Sequence, residues 1–289
     1  MRGHQPADRP GRLTRSLRPL RQTGSVATVD ERTEPAPTSS RRILGLELLG
    51  VLGVTYAADG LYSLLGFIRD QLVINRGVGF RRVATAPIKS APKTEYPVLD
   101  LLRVVLDIVV GVAPAFLAIV LLLRSPGGRG LGIGLDRLRL RELVQGCGFA
   151  ALIGLPGLAL VWAARKLGLN AQIVVTTFPD VWYRIPALLL EAIQQGTAEE
   201  IVVCAFVLTR LAQLGWSNQR ALAVAAVLRG SYHLYQGYGG FVGNAVMGVI
   251  FGWWFQRTRR IVPLVIAHSV IDAVSFIGYV YLHGHVNWI

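Results

Sequence analysis

Charge is what this sequence has least of. Only 16% of its 289 residues are Asp, Glu, Lys or Arg, against roughly 25% in soluble domains, which excludes a water-facing surface over most of the chain. Lysine is nearly missing too: Lys89, Lys93 and Lys166 are the only three, so arginine carries the positive charge. Cysteine is limited to Cys147 and Cys204, both in apolar segments and neither in a CxxC pair. That excludes a disulfide framework and a thiolate zinc site, and both cysteines read as small buried hydrophobes.

What remains is apolar. Hydrophobic side chains make up 52% of the sequence, in runs near the roughly 20 residues that cross a bilayer core. The runs are 43–68, 97–123, 146–164, 185–209, 219–236, 240–256 and 261–282. They predict an all-α, polytopic transmembrane helix bundle of about seven spans, six to eight, since one short or partly polar run is open to a re-entrant path. Between the second and third runs, RSPGGRGLGIGLDRLRLREL alternates Arg with Leu, the pattern of an amphipathic segment lying on headgroups.

The net charge of +13 suits nucleic acid or anionic lipid. Basic residues flank apolar runs, so anionic lipid headgroups are the expected partner and nucleic acid is not. Residues 1–42 hold nine arginines among Pro, Ser, Thr and Gly without hydrophobic periodicity, which predicts a disordered basic tail. The first apolar run begins at Ile43, too far from the start for a cleaved signal peptide. The organisation read from this is a tail over 1–42, N-terminal spans with the interfacial segment over 43–145, and a C-terminal core over 146–289. Arg124, Arg129, Arg137, Arg139, Arg141, Arg210, Arg220, Arg257, Arg259 and Arg260 fall in alternate connections, which puts the tail in the cytoplasm. The six basic residues of 69–96 oppose that orientation.

Against this background, Glu191, Glu199 and Glu200 stand inside an apolar run, where each charge costs about 2.5–3.5 kcal/mol on insertion scales. On a helix, Glu191, Gln195 and Glu199 share a face, with Glu200 about 100° away. Two of the five histidines, His233 and His268, also lie at membrane depth; His4 is in the tail, and His283 and His285 are at the far end. His268 precedes Asp272 by four residues, so the two share a helix face. Glu199, His233 and His268 lie roughly 16, 21 and 11 Å from the inner ends of their runs, compatible with one cluster. Taken singly, each group serves equally as interhelical glue. Together they suit hydrolysis: a carboxylate takes a proton from water, and imidazole or a metal holds the developing charge.

Glu199-Glu200, His233 and His268-x-x-x-Asp272 resemble the motifs of the CAAX-protease and bacteriocin-processing family of intramembrane proteases, over about 185–275. Gly248 and Gly252 form a GxxxG, and Thr258 and Pro263 follow that family's approach to its last motif; residues before 140 contribute little. The family's motifs are Glu-Glu-x-x-x-Arg, Phe-x-x-x-His and His-x-x-x-Asn or Asp. By position the resemblance implies Glu199 as general base, His233 as its partner, His268 with Asp272 at the oxyanion or a metal, and Glu200 as a structural carboxylate. It implies a protease of a bacterial plasma membrane acting on a membrane-associated peptide or protein, with the bacteriocin type of substrate expected over prenylated C-termini. If a metal is used, zinc held by His233, His268, Glu199 and Asp272 is the expectation, although these residues lack the compact HExxH spacing. An ionised Asp272 cannot donate to an oxyanion as Asn would, so orienting His268 or completing a metal site suits it better.

Two positions depart from the pattern: Cys204 stands where the family has Arg, and Arg229 where it has Phe. Arg229, one turn before His233, is expected to replace the missing arginine as partner to Glu200; the plainer reading is a snorkelling side chain. Two other classes stay open, a non-catalytic scaffold or immunity protein and a proton-coupled transporter, though no inverted repeat supports the second.

Overall fold

The computed structural model of the chain describes residues 38–74, 85–87, 96–124, 133–135, 138–174, 181–282 and 285. Its elements are α1 (Thr38–Gly53), α2 (Tyr56–Ile74), β1 (Thr85–Pro87), α3 (Pro97–Arg124), α4 (Leu140–Lys166) and β2 (Gln172–Val174). Then come α5 (Arg184–Glu199), a π-helical segment (Glu200–Val207), α6 (Leu208–Gln213), α7 (Asn218–Tyr232), a 3-10 turn (Leu234–Gln236), α8 (Tyr238–Thr258) and α9 (Val262–Leu282). Apart from connecting turns and loops, the described residues are thus helical, with one short parallel ladder of β1 on β2 that pairs Thr85 with Gln172.

Among the described residues, three helices are long and apolar enough to cross a membrane: α3, α4 and α9. α1 and α2 make a fourth candidate if taken as one span, bent by 48° at the break between them. The expected run 43–68 is therefore two helices. At the break the Thr55 hydroxyl donates to the Val51 carbonyl at 2.6 Å, a local bond that competes with helix continuation. The other three expected runs are helical but fail the same test for visible reasons. The run 185–209 carries three glutamates and changes to π geometry. Helix α7 stops at Tyr232, and its 15 residues reach about 22 Å. Helix α8 holds Asn244 and five glycines.

Two expected boundaries also move. Helix α1 begins at Thr38, so the last residues of the 1–42 tail are helical, as Thr-Ser-Ser after Pro37 favours; the rest of the tail lies outside the described residues. Helix α4 runs across the 145/146 boundary and takes in Leu140–Leu143 from the expected interfacial segment. Part of that segment is tied to the α8–α9 connection: Ile261 N–H donates to the Ile133 carbonyl, and Arg260 pairs with Glu142.

The π segment is the centre of the bundle, with every side chain from Glu200 to Val207 buried. Helix α9 lies between α4 and α5, α7 packs on α8 and on α2, and α3 covers α5 and the π segment. The outer faces stay apolar, as at Leu102, Val109 and Leu117 of α3, which suits a lipid solvent. Cys147 is on such a face rather than buried.

Two local features set the depth of the polar residues. At Gly196, a Cβ would lie 2.6 Å from Ser269 Oγ and 2.8 Å from Ser269 N, so α5 and α9 meet backbone to backbone one turn before Glu199 and next to His268. After α7, Gly237 has φ +103, a conformation suited to glycine, and the turn there is held by the 169–171 loop. Tyr238 N–H donates to the Leu169 carbonyl at 3.1 Å, Ala171 N–H to the Gln236 carbonyl at 3.0 Å, and Gly239 N–H to Asn170 Oδ1 at 2.8 Å.

Gly196→Val should separate α5 from α9 and destabilise the bundle by about 1–3 kcal/mol. Gly66→Val, at a position with nothing within 4 Å, is the control, and thermal unfolding in detergent is the measurement.

Candidate active site

Glu199 is the last residue of α5 and Glu200 the first of the π segment. Such i→i+5 turns recur at functional sites because they redirect side chains without ending the helix. Here the two carboxylates part company. Glu199 keeps 13% of its side chain exposed, toward a cavity, while Glu200 is fully buried.

Glu200 is saturated by partners from three elements. Its Oε1 forms an ion pair with Arg229 Nη2 from α7 and lies 2.8 Å from His268 Nδ1 of α9. Its Oε2 accepts from the Cys204 thiol at 3.2 Å. Cys204 is therefore a hydrogen-bond donor to the motif carboxylate rather than only a small hydrophobe. Arg229, also fully buried, reaches Glu199 Oε2 at 3.4 Å and lies 2.9 Å from His268 Nδ1. Its guanidinium stands over the Phe251 ring, 5.6 Å from Cζ to centroid. Gly248 leaves room for it: a Cβ there would be 3.3 Å from Arg229 Cδ and 3.0 Å from Ala226 Cα. The GxxxG thus packs α8 on α7 within one chain.

The remaining groups surround a cavity of about 490 Å³ lined by Glu199, His233, His268 and Asp272. Tyr232 donates to Glu199 Oε2 at 2.7 Å. His233 Nδ1 lies 3.0 Å from the Arg229 carbonyl. A carbonyl only accepts, so the proton is on Nδ1 and the Nε2 lone pair is free. His268 Nε2 is 3.5 Å from Asp272 Oδ2, close enough to orient the ring.

All the residues expected in the site are thus brought together. Of the face Glu191, Gln195 and Glu199, the last two line the cavity; Glu191 is buried elsewhere. His4 and His283 lie outside the described residues, and His285 is exposed. Sequence reasoning missed Tyr232, and it missed the contribution of α2, whose Tyr56 and Asp59 also line the cavity. Helix α2 reaches the site through close contact with α7, where Ser63 Oγ donates to the Tyr232 carbonyl at 3.2 Å. The Tyr56 and Tyr232 rings pack with centroids 4.7 Å apart and planes tilted by 33°.

The arrangement does not fit zinc. Among the described residues no three His, Cys, Asp or Glu side chains are gathered as a ligand set. The Arg229 guanidinium also stands inside the proposed set, beside His268 Nδ1, where its charge opposes a divalent cation.

Fold and site define a helical integral membrane protein with a carboxylate–histidine centre on a polar cavity. Residues 180–274 match the type II CAAX prenyl endopeptidase Rce1-like family, so this stretch of the chain is similar to the CAAX-protease domain. No curated protein matches the chain, and no solved structure does.

Arg229→Phe should leave Glu200 buried without its guanidinium and destabilise the protein by about 3–5 kcal/mol, seen as a lower unfolding temperature in detergent. Adding Cys204→Arg should recover most of that loss by returning a guanidinium to Glu200 from its own helix.

Proposed function

We propose that the protein is an intramembrane endopeptidase that hydrolyses a peptide bond in or near the bilayer with water activated by Glu199. One juxtaposition carries the reading: Glu199, His233, His268 and Asp272 line a single cavity within the domain matched to a peptidase family. Glu199 takes a proton from water as the water oxygen attacks the scissile carbonyl carbon. The C–N bond breaks, and the proton passes from Glu199 to the leaving amine. The Tyr232 hydroxyl occupies Oε2 of Glu199, which leaves Oε1 for the water. His233, its Nδ1–H committed to a carbonyl, offers Nε2 to the same water. His268, when protonated, donates Nδ1–H to Glu200 and faces Asp272 through Nε2, so that its imidazolium charge stabilises the developing oxyanion.

A finer placement goes with this proposal. The chain crosses a bacterial plasma membrane about seven times with its tail in the cytoplasm, and its substrate is a membrane-associated peptide or protein of the bacteriocin-precursor type. The non-catalytic alternative drew on the missing arginine at 204. The ion pair of Arg229 with Glu200 removes that argument, because the charge is supplied from α7.

In membranes from cells expressing the chain, new protein N-termini should appear that are lost with Glu199→Gln at matched abundance, since a general base contributes about 10²–10⁴-fold. Identical terminal profiles would sink the protease reading. Cleavage should also persist in a strong chelator; loss restored by added zinc would reassign the histidines as ligands.

A further inference from the structure

The family description names a prenyl endopeptidase, yet the cavity is lined by groups that an isoprenoid would leave unsatisfied. Its lining includes no Leu, Ile, Val or Met, and Phe276 is its one large side chain without a polar atom. The rest is mainly tyrosine, glutamine, histidine and carboxylate. Among the described residues, no hydrogen bond is made by the side chains of Tyr56, Tyr62, Gln194, Gln195 or Asp59, all of which face the cavity. Covering such groups with hydrocarbon strips their water and returns no hydrogen bond, at a cost of roughly 1–3 kcal/mol each. An extended peptide offers N–H and C=O groups to the same positions.

The charges point the same way. Asp59 of α2, Glu199 of α5 and Asp272 of α9 line the cavity, and neither Lys nor Arg does. The nearest guanidinium, Arg229, is fully buried behind the wall and paired with Glu200. Asp59 is exposed toward the cavity and has no ion-pair partner among the described residues. His233 and His268 are the other titratable groups at the wall besides the tyrosines. His268 is already held by Glu200 and Asp272, and His233 by a backbone carbonyl. Asp59 is left to meet a cation brought in by a ligand.

We infer that the cavity receives an unprenylated, extended peptide segment carrying a basic side chain, with Asp59 as the residue that recognises its charge. This rests on the protease reading only for what happens to the segment after it binds. Asp59 here is a specificity residue, and the chemistry stays with Glu199.

The test uses the full chain in nanodiscs as the Glu199→Gln variant, so that binding is read without turnover. The probes are fluorescent nine-residue Ser/Ala peptides with a central Lys or Gln, and the Gln peptide with a farnesylated cysteine; anisotropy gives their affinities. The Lys peptide should bind about tenfold tighter than the Gln peptide. Asp59→Asn should bring that ratio close to one, while thermal unfolding shows the variant folded. The farnesylated Gln peptide should fail to displace the Lys peptide. Equal affinity for Lys and Gln peptides, a ratio unchanged in Asp59→Asn, or displacement by the farnesylated peptide would each overturn the inference. Cleavage of the same peptides by the native chain is scored separately. Discrimination in binding without cleavage keeps the inference and removes the protease reading; cleavage without discrimination does the reverse.

Discussion

The buried ion pair between Arg229 and Glu200 is the interaction on which the rest of the bundle depends. Neither side chain has any exposed surface, and neither charge is tolerable there alone. The pair joins α7 to the π segment, and through His268 Nδ1 it takes in α9. Three helices far apart in sequence therefore have one relative depth at which no charge is stranded. A shift of one turn in α7 or the π segment would separate guanidinium from carboxylate by about 5 Å, and the same shift in α9 would carry His268 away from both. The same constraint fixes Glu199, because it is the neighbour of Glu200 in the chain and sits at the cavity wall only while Glu200 points inward.

The apolar packing serves that register. Gly196 lets α5 touch the backbone of α9 at Ser269, and Gly248 opens the space on α8 that Arg229 fills. The loop 169–171 clamps the turn after α7, so His233 is held on a helix end instead of a free connection. The π segment contributes a change of direction within a continuous buried stretch. It turns one carboxylate into the core and leaves the other at the cavity without breaking the central helix.

Much of the site was legible because polar residues at membrane depth are conspicuous against an apolar sequence. Glu199, Glu200, His233, His268 and Asp272 could be picked out one by one, and Arg229 followed from lying one turn before His233. Tyr232 was hidden, since a tyrosine next to a histidine in a helix carries no signal of its own. Asp59 and Tyr56 were hidden for a different reason: nothing in the first hundred residues says which helix packs against α7. The π geometry has no local sequence mark, because EIVVCAFV reads as an ordinary apolar helix. Counting spans by apolar runs overstated what length and hydropathy support, because the runs that build the site carry the polar groups that lower their own apolarity.

The exchange of Arg for Cys at 204 and of Phe for Arg at 229 shows where the constraint acts. The resemblance places a guanidinium four residues after Glu200 on its own helix. This chain instead brings one from α7, and the thiol of Cys204 fills the vacated position with a weak donor to the other carboxylate oxygen. Judged by motif spelling, the site has lost a residue. Judged by position in space, the Glu200 carboxylate still has a cation on one oxygen and a donor on the other. What a buried carboxylate requires is compensation at hydrogen-bond distance, and electrostatics does not depend on which helix provides it. A departure from a motif inside a membrane is therefore read by asking which neighbouring helix now holds the missing charge.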